Sequence, residues 1–295
     1  MSLSPEKKRE ATVSAIVVAL INMKGGVGKT TLAAQLAHAA DKKDLKTLAV
    51  DLDPQANLSQ ALMGVKDYVA HLNKKLPTVA NLFEQYLPPT ISAPSPKKAS
   101  IEDVIIKKAG YWSDSTLDLI PSRLELSNTL KNPTGKERRL AKALSKVADN
   151  YDLILIDCAP TESILTDAAY HSSRYVMVPV KPEFLATIGL PLLANSIIEF
   201  TTENGDHALD ICGIVFNHSS SYSDGPETHT SVAEVKSEAK KHGWHVYDTH
   251  VRYSRSYAKA AREARPIGST SNVQIQVPNT FAAFASEFFT SIGIS

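Results

Sequence analysis

The sequence predicts an α/β fold, a doubly wound and mostly parallel sheet with helices on both faces. Three observations carry that expectation. Short apolar runs alternate with helical patterns along most of the chain. Most of these runs are unbroken Val, Ile and Leu, as strands covered on both faces require. The most distinctive polar motifs each stand at the carboxyl end of such a run, where a sheet of this kind places its ligands.

The first strand is expected over 15–22, Ala-Ile-Val-Val-Ala-Leu-Ile-Asn, with a helix over 29–40 behind it. Strands over 47–51, 117–120, 153–157, 175–179 and 211–216 follow from the same kind of apolar run. Helical patterns fill the gaps at 136–147, 163–171, 184–200 and 232–241. Near the end, Phe281, Phe284, Phe288 and Ile292 mark one helical face, expected to pack on the sheet. The whole reads as one domain over 14–295 behind an N-terminal extension of 1–13. Four prolines between Tyr86 and Lys98 interrupt the order and predict an exposed loop, either a solvated connector or a segment that docks a partner. The stretch His218-Ser-Ser-Ser-Tyr-Ser-Asp-Gly-Pro226 is polar and turn-rich, and predicts a second loop.

Length and composition narrow the function classes. A chain of 295 residues can bury a large single α/β core. A net charge of +1 gives no global attraction to nucleic acid, so any basic surface must be local. The two cysteines, Cys158 and Cys212, exclude a disulfide framework and suit a reducing cytoplasm. Cys158 reads as a small buried side chain rather than a reactive thiol. Lys7-Lys8-Arg9 ahead of 11–21 imitates a signal peptide, but no small-residue cleavage site follows and the run leads into a polar motif. The nine histidines suggest no metal site; His242-Gly-Trp-His245 carries a glycine that argues against a regular helix.

The chemistry begins at Met23-Lys24-Gly25-Gly26-Val27-Gly28-Lys29-Thr30-Thr31. A buried strand that opens into a glycine-rich loop ending in Lys-Thr is how a chain wraps a polyphosphate. Gly25, Gly26 and Gly28 let the backbone N–H groups approach the phosphates, with Val27 and Thr31 completing the loop. Lys29 reaches the β/γ-phosphates, Thr30 ligates Mg²⁺, and the helix that starts there adds its positive dipole end. The chain is therefore expected to bind a nucleoside triphosphate, ATP, with Mg²⁺.

The second lysine, Lys24, makes KGGVGKTT resemble the deviant Walker A box of the ParA/MinD ATPases, members of the P-loop NTPase class. Two further boxes support the resemblance: Leu48-Ala-Val-Asp51-Leu-Asp53-Pro54-Gln55-Ala-Asn57 and Leu153-Ile-Leu-Ile-Asp157-Cys-Ala-Pro160. The resemblance spans 14–286 and is weakest over 63–115. It implies that Lys24 crosses a dimer interface to the partner's nucleotide, and that Thr30, with Asp51 and Asp157 through water, holds Mg²⁺. It implies that Asp53 positions the attacking water, the other reading being a turn cap before Pro54. Asn57 is left as a helix cap or a residue of open role. Asn217 either reads an adenine edge, as the family pattern implies, or forms a turn. Family members often carry Gly at position 56 and Pro at 159, where this chain has Ala56 and Ala159.

The stretch from Val251 to Arg265 holds five basic residues against one acid. On a helix Arg255, Lys259 and Arg262 share one face, flanked by Arg252 and Arg265. Such a row suits the phosphates of a duplex without base reading, or it is a solvated face. Its position before Pro266-Ile267 resembles the basic stretch with which ParA-like proteins contact non-specific DNA. The resemblance thus implies a ParA-like partition ATPase: an ATP-dependent homodimer on the nucleoid, in the cytoplasm, released by hydrolysis that a ParB-like adaptor stimulates. The alternative is a MinD-like membrane-cycling regulator, but no Lys or Arg follows Arg265 to attract anionic lipid. A third reading, a metabolic or iron–sulfur assembly enzyme of the wider P-loop class, lacks a CxxC pair.

Overall fold

Six apolar runs and one two-residue segment become the seven strands of one sheet in this computed structural model, which describes residues 14–84, 99–219 and 225–294. The expected N-terminal extension, the Pro-rich stretch and the centre of the second polar loop lie outside the described residues. The strands are β1 (Ile16–Leu20), β2 (Thr47–Leu52), β3 (Leu117–Ile120), β4 (Leu153–Cys158), β5 (Tyr175–Val180), β6 (Asp210–Ser219) and β7 (Val251–Arg252). Their spatial order is β3-β2-β4-β1-β5-β6-β7, and every pairing between them is parallel. The chain adds β2, β3 and β4 on one side of β1 and β5, β6 and β7 on the other, which puts the switch point of the sheet beside β1.

Register decides what gathers there. Leu20 stands opposite Asp157 on one side of β1 and Met177 on the other, and Asp51 of β2 stands opposite Asp157. The carboxyl ends of β1, β2 and β4 therefore finish level, and their following loops meet. The six expected strands are all present; β7 is an addition. It has two residues, too short for a periodic signal, and pairs with the end of β6 through Asn217 and Val251.

The helices are α1 (Lys29–Lys42), α2 (Asn57–Met63), α3 (Val65–Asn73), α4 (Val79–Phe83), α5 (Ile101–Val104) and α6 (Asn128–Lys131). They continue as α7 (Arg139–Leu144), α8 (Ile164–Ser172), α9 (Phe184–Glu203), α10 (Pro226–His242), α11 (Arg255–Glu263) and α12 (Gln276–Ser291). Alternate strand residues feed two cores. Val18, Leu20 and Leu155 meet α1 and α12 through Leu32, Leu36, Phe284 and Phe288. Ala19, Ile154 and Ile156 meet α8 and α9 through Leu165, Leu193 and Ile197. Both faces are thus apolar, which is why the strands read as continuous runs.

Phe281, Phe284, Phe288 and Ile292 are all buried, so the C-terminal helix packs on the sheet as expected. No helix among the described residues is long and apolar enough to cross a membrane. The expected helix 136–147 is shorter in the structure. Its apolar spacing is real, with Leu140, Leu144 and Val147 buried, but Val147 donates to Leu144 O in a separate turn after α7. A helix after Asn57 was expected and is α2, but Asn57 is its first residue and Ala56 holds the cap position; α3 to α6 were not foreseen. Helix α5 starts on a capping box, Ser100 with Asp103, and at α4 Asn81 Oδ1 accepts from Thr78 N.

Candidate functional site

The loop between β1 and α1 is built on Asn22. Its Nδ2 donates to Pro179 O at the end of β5 (2.7 Å), its Oδ1 accepts from Lys24 N (2.9 Å), and its carbonyl accepts from Lys29 Nζ (2.8 Å). Gly26 and Gly28 hold φ of 75° and 91°, a region in which only glycine rests without strain. Gly28 is also required by packing, because a Cβ there would lie 2.0 Å from Asn217 Nδ2. Gly25 is exposed and faces the Pro160 ring at the end of β4. Val27 is buried, whereas Thr30 and Thr31 lie half-buried in the first turn of α1.

The two lysines have different surroundings. Lys29 is buried, with its ammonium between Asn22 O and Lys24 O (2.8 and 3.1 Å). Burial lowers its pKa, and the charge of Asp157 is the largest influence opposing that fall. Lys24 is half-exposed and forms an ion pair with Glu183, which also pairs with Lys181 (2.7 Å). Asn217 donates through Nδ2 to Val27 O (2.7 Å). The amide therefore braces the phosphate loop from β6, a bond that neither sequence reading of Asn217 included.

The three carboxylates of the two strand-end boxes also divide. Asp51 and Asp157 are fully buried on neighbouring strands. Asp51 Oδ1 accepts from Asp53 N (3.2 Å), and Oδ2 accepts from Ser59 N (2.7 Å) and Ser59 Oγ (2.6 Å). Both oxygens of Asp157, by contrast, lack a hydrogen-bond partner among the described residues. Burial and then the charge of Asp51 raise the pKa of Asp157 well above the carboxylate range, partly offset by Thr30 and Lys29. Asp53 is buried; its Oδ1 accepts from Gln55 N (2.9 Å), so it does cap the turn at Pro54.

An orphaned, fully buried carboxylate beside a lysine and a threonine at a helix start fits a hard divalent cation. Among the described residues no cluster of three or more His, Cys, Asp or Glu could hold a metal alone. A cation here would take its other ligands from phosphate oxygens and water, the habit of Mg²⁺.

The basic stretch forms a separate surface. Ser254 caps α11 by accepting from Ser256 N (3.1 Å), and Tyr257 and Ala260 turn into the core. Arg255 and Arg262 are exposed on the helix. Lys259 is half-buried and lies 3.9 Å from Glu263. Arg252 is exposed on β7, and Arg265 follows α11 with its guanidinium 5.3 Å from the centre of the Tyr111 ring. The stripe is thus present, with two of its five members partly engaged.

Sequence reasoning missed Asn22, Glu183 and Ser59. Asn22 closes the expected first strand, and a polar residue ending an apolar run just before a glycine-rich loop is a usable signal. Glu183 comes to Lys24 from 159 positions along the chain, and nothing local announces it.

A family model described as an AAA domain matches residues 15–211, more than half of the chain. The chromosome-partitioning ATPase Soj of Treponema pallidum is 32% identical over 272 residues, covering 82% of this chain and 94% of that protein. A virulence-plasmid ParA family protein of Chlamydia psittaci is 31% identical over 227 residues, covering 76% of this chain and 77% of its own. Among solved structures, the ATP complex of a Cyanothece McdA variant superposes with a TM-score of 0.77 at 18% identity, covering 96% of this chain and 98% of that one, a likeness of fold. With its loop, its strand-end carboxylates and these relatives, the chain belongs to the ParA/MinD family of P-loop ATPases.

Proposed function

We propose that this protein is a ParA-type positioning ATPase, whose ATP-bound dimer holds non-specific DNA and lets go when an adaptor of ParB type stimulates hydrolysis. The observation that carries the reading is helix α11. Its apolar side is locked into the core by Tyr257 and Ala260, and it leaves Arg255 and Arg262 outward with Glu263 as its one acid. Cations on a rigid helix suit duplex phosphates and give salt-sensitive binding. The membrane-cycling alternative gains no such support, because the aromatic face of α12 is buried.

Bound ATP and Mg²⁺ supply the phosphoryl group and neutralise its charge. The chain's part is positioning. Lys29 would exchange its two carbonyl partners for phosphate oxygens, and the backbone from Gly25 to Thr31 would wrap the chain of phosphates. Thr30 and, through water, Asp157 and Asp51 would hold the cation. Asp53 aims the attacking water. Lys24 reaches across the dimer, so dimer formation must break its pair with Glu183. Asn217 fixes the loop and borders the base. Positive charge for DNA comes from Arg252, Arg255, Lys259, Arg262 and Arg265.

The test is binding to duplex DNA of arbitrary sequence with ATP, ADP or no nucleotide, at two salt concentrations. Salt-sensitive binding with ATP alone is the expected result. No binding in any state overturns the DNA reading and leaves the ATPase assignment intact.

A further inference from the structure

Ser59 lies in α2, outside every motif that carries the nucleotide chemistry, and it is fully buried. Three hydrogen bonds meet on it. Its N–H and its hydroxyl both donate to Asp51 Oδ2 (2.7 and 2.6 Å), and its Oγ accepts from Ser122 N (2.9 Å). Ser122 is also fully buried and follows β3 by two residues. The other oxygen of Asp51 accepts from Asp53 N (3.2 Å). The Asp51–Ser59 pair thus joins the start of α2 and the backbone of Asp53 through the carboxylate, and the segment after β3 through the Ser59 hydroxyl.

The arrangement has a local cause. The residue before α2 is Ala56, which carries no side-chain acceptor for the first N–H groups of the helix. Asp51 supplies that acceptor from β2 and caps the helix through Ser59 N. With Oδ2 taken by two donors, the remaining oxygen is left for Asp53 N, and the turn Asp53-Pro54-Gln55 is held from both ends. The Ser59 hydroxyl is the third donor on this carboxylate and makes the shortest of its bonds, so it tightens an orientation that the N–H groups of Ser59 and Asp53 set from opposite oxygens.

We propose that Ser59 is a positioning residue for hydrolysis: through Asp51 it sets the backbone of Asp53 and so the aim of the Asp53 carboxylate. This rests on the reading that Asp53 positions the attacking water. Ser59 touches no phosphate in the proposal. Its loss should therefore slow turnover without weakening ATP binding, should free the Ser122 amide, and should loosen the bond from Asp53 N to Asp51.

The experiment compares wild type with Ser59→Ala, Ser59→Cys, Ser59→Thr and Asp53→Ala in steady-state ATPase assays. ATP affinity, thermal unfolding and amide hydrogen exchange are measured on the same proteins. The expected result is a kcat about tenfold lower in Ser59→Ala and Ser59→Cys, since small losses of aim cost rate steeply. KM and ATP affinity stay unchanged, Ser59→Thr restores kcat, and the Asp53 and Ser122 amides exchange faster in the Ala and Cys variants. An unchanged kcat in Ser59→Ala overturns the proposal. So does a loss of kcat that moves together with KM and melting temperature and that Ser59→Thr does not rescue. The Asp53 reading fails separately, and only if Asp53→Ala hydrolyses ATP like wild type.

Discussion

Ala56 sits at φ 54°, ψ 35°, in the left-handed region, with its side chain buried. The family's preference for glycine at this place in the box has its physical cause there: the chain must turn from Asp53 into α2 with a positive φ. A non-glycine residue in that region costs about 1–2 kcal/mol, and glycine returns about half of it as unfolded-state entropy. Ala56→Gly should therefore stabilise the protein by about 0.5–1 kcal/mol in urea unfolding, and a loss of stability would show that burial of the Ala56 methyl outweighs the strain. The phosphate loop was legible for a related reason, since Gly26 and Gly28 hold φ values that restrict the residue type. Lys29→Ala removes the buried ammonium at its centre and should abolish binding of a fluorescent ATP analogue. Retained affinity would refute the loop assignment. What could not be read was the state of each carboxylate. Asp51 and Asp157 look alike at two strand ends, yet one is saturated by Ser59 and Asp53 while the other is orphaned.

Parallel strands announce themselves because both of their faces are covered, and β1 through β6 appear where the apolar runs put them. Short elements held by distant groups do not. Helix α2 owes its start to Asp51 in another element, and β7 owes its existence to the end of β6. Helix α11 lies between these cases, with an amphipathic pattern written locally: Tyr257 and Ala260 inward, Arg255 and Arg262 outward. The pattern did not reveal that Lys259 lies within ion-pair distance of Glu263 or that Arg265 stacks on Tyr111. These contacts rank the basic residues. Arg255→Glu and Arg262→Glu should each weaken ATP-dependent DNA binding by about tenfold and reduce the salt slope by about one. Lys259→Glu should cost less, because part of its charge is already compensated. Equal losses at all three positions in a DNA titration would mean that the stripe acts only as diffuse charge.

At the scale of the whole molecule, stability itself reports on a group that the site does not use. His38 lies in α1, buried, with its ring edge-on to Trp112 at 6.2 Å and neither ring nitrogen hydrogen-bonded among the described residues. Burial lowers its pKa from the usual 6.5 to about 4, against a smaller upward pull from Asp41. A folded pKa below the unfolded one means that the unfolded chain binds the proton first. Stability from this residue is therefore complete above pH 6.5, falls as the pH drops, and has been lost once the pH is below about 4. The shift corresponds to about 3 kcal/mol over that window. Other buried groups contribute with either sign: His171 and His218 are lowered too, whereas Asp51 and Asp157 are raised and gain relative stability in acid. Unfolding of the wild type alone would mix these effects, so the comparison must be with His38→Leu, which removes one proton site and keeps an apolar filling beside Trp112. Measured by urea unfolding from pH 7.5 to pH 4.5, the difference in stability between the two proteins should shift toward the variant as pH falls, by about 1.4 kcal/mol per unit below pH 6.5. A difference that stays constant over that range would mean that His38 takes up its proton in the folded state as easily as in the unfolded chain.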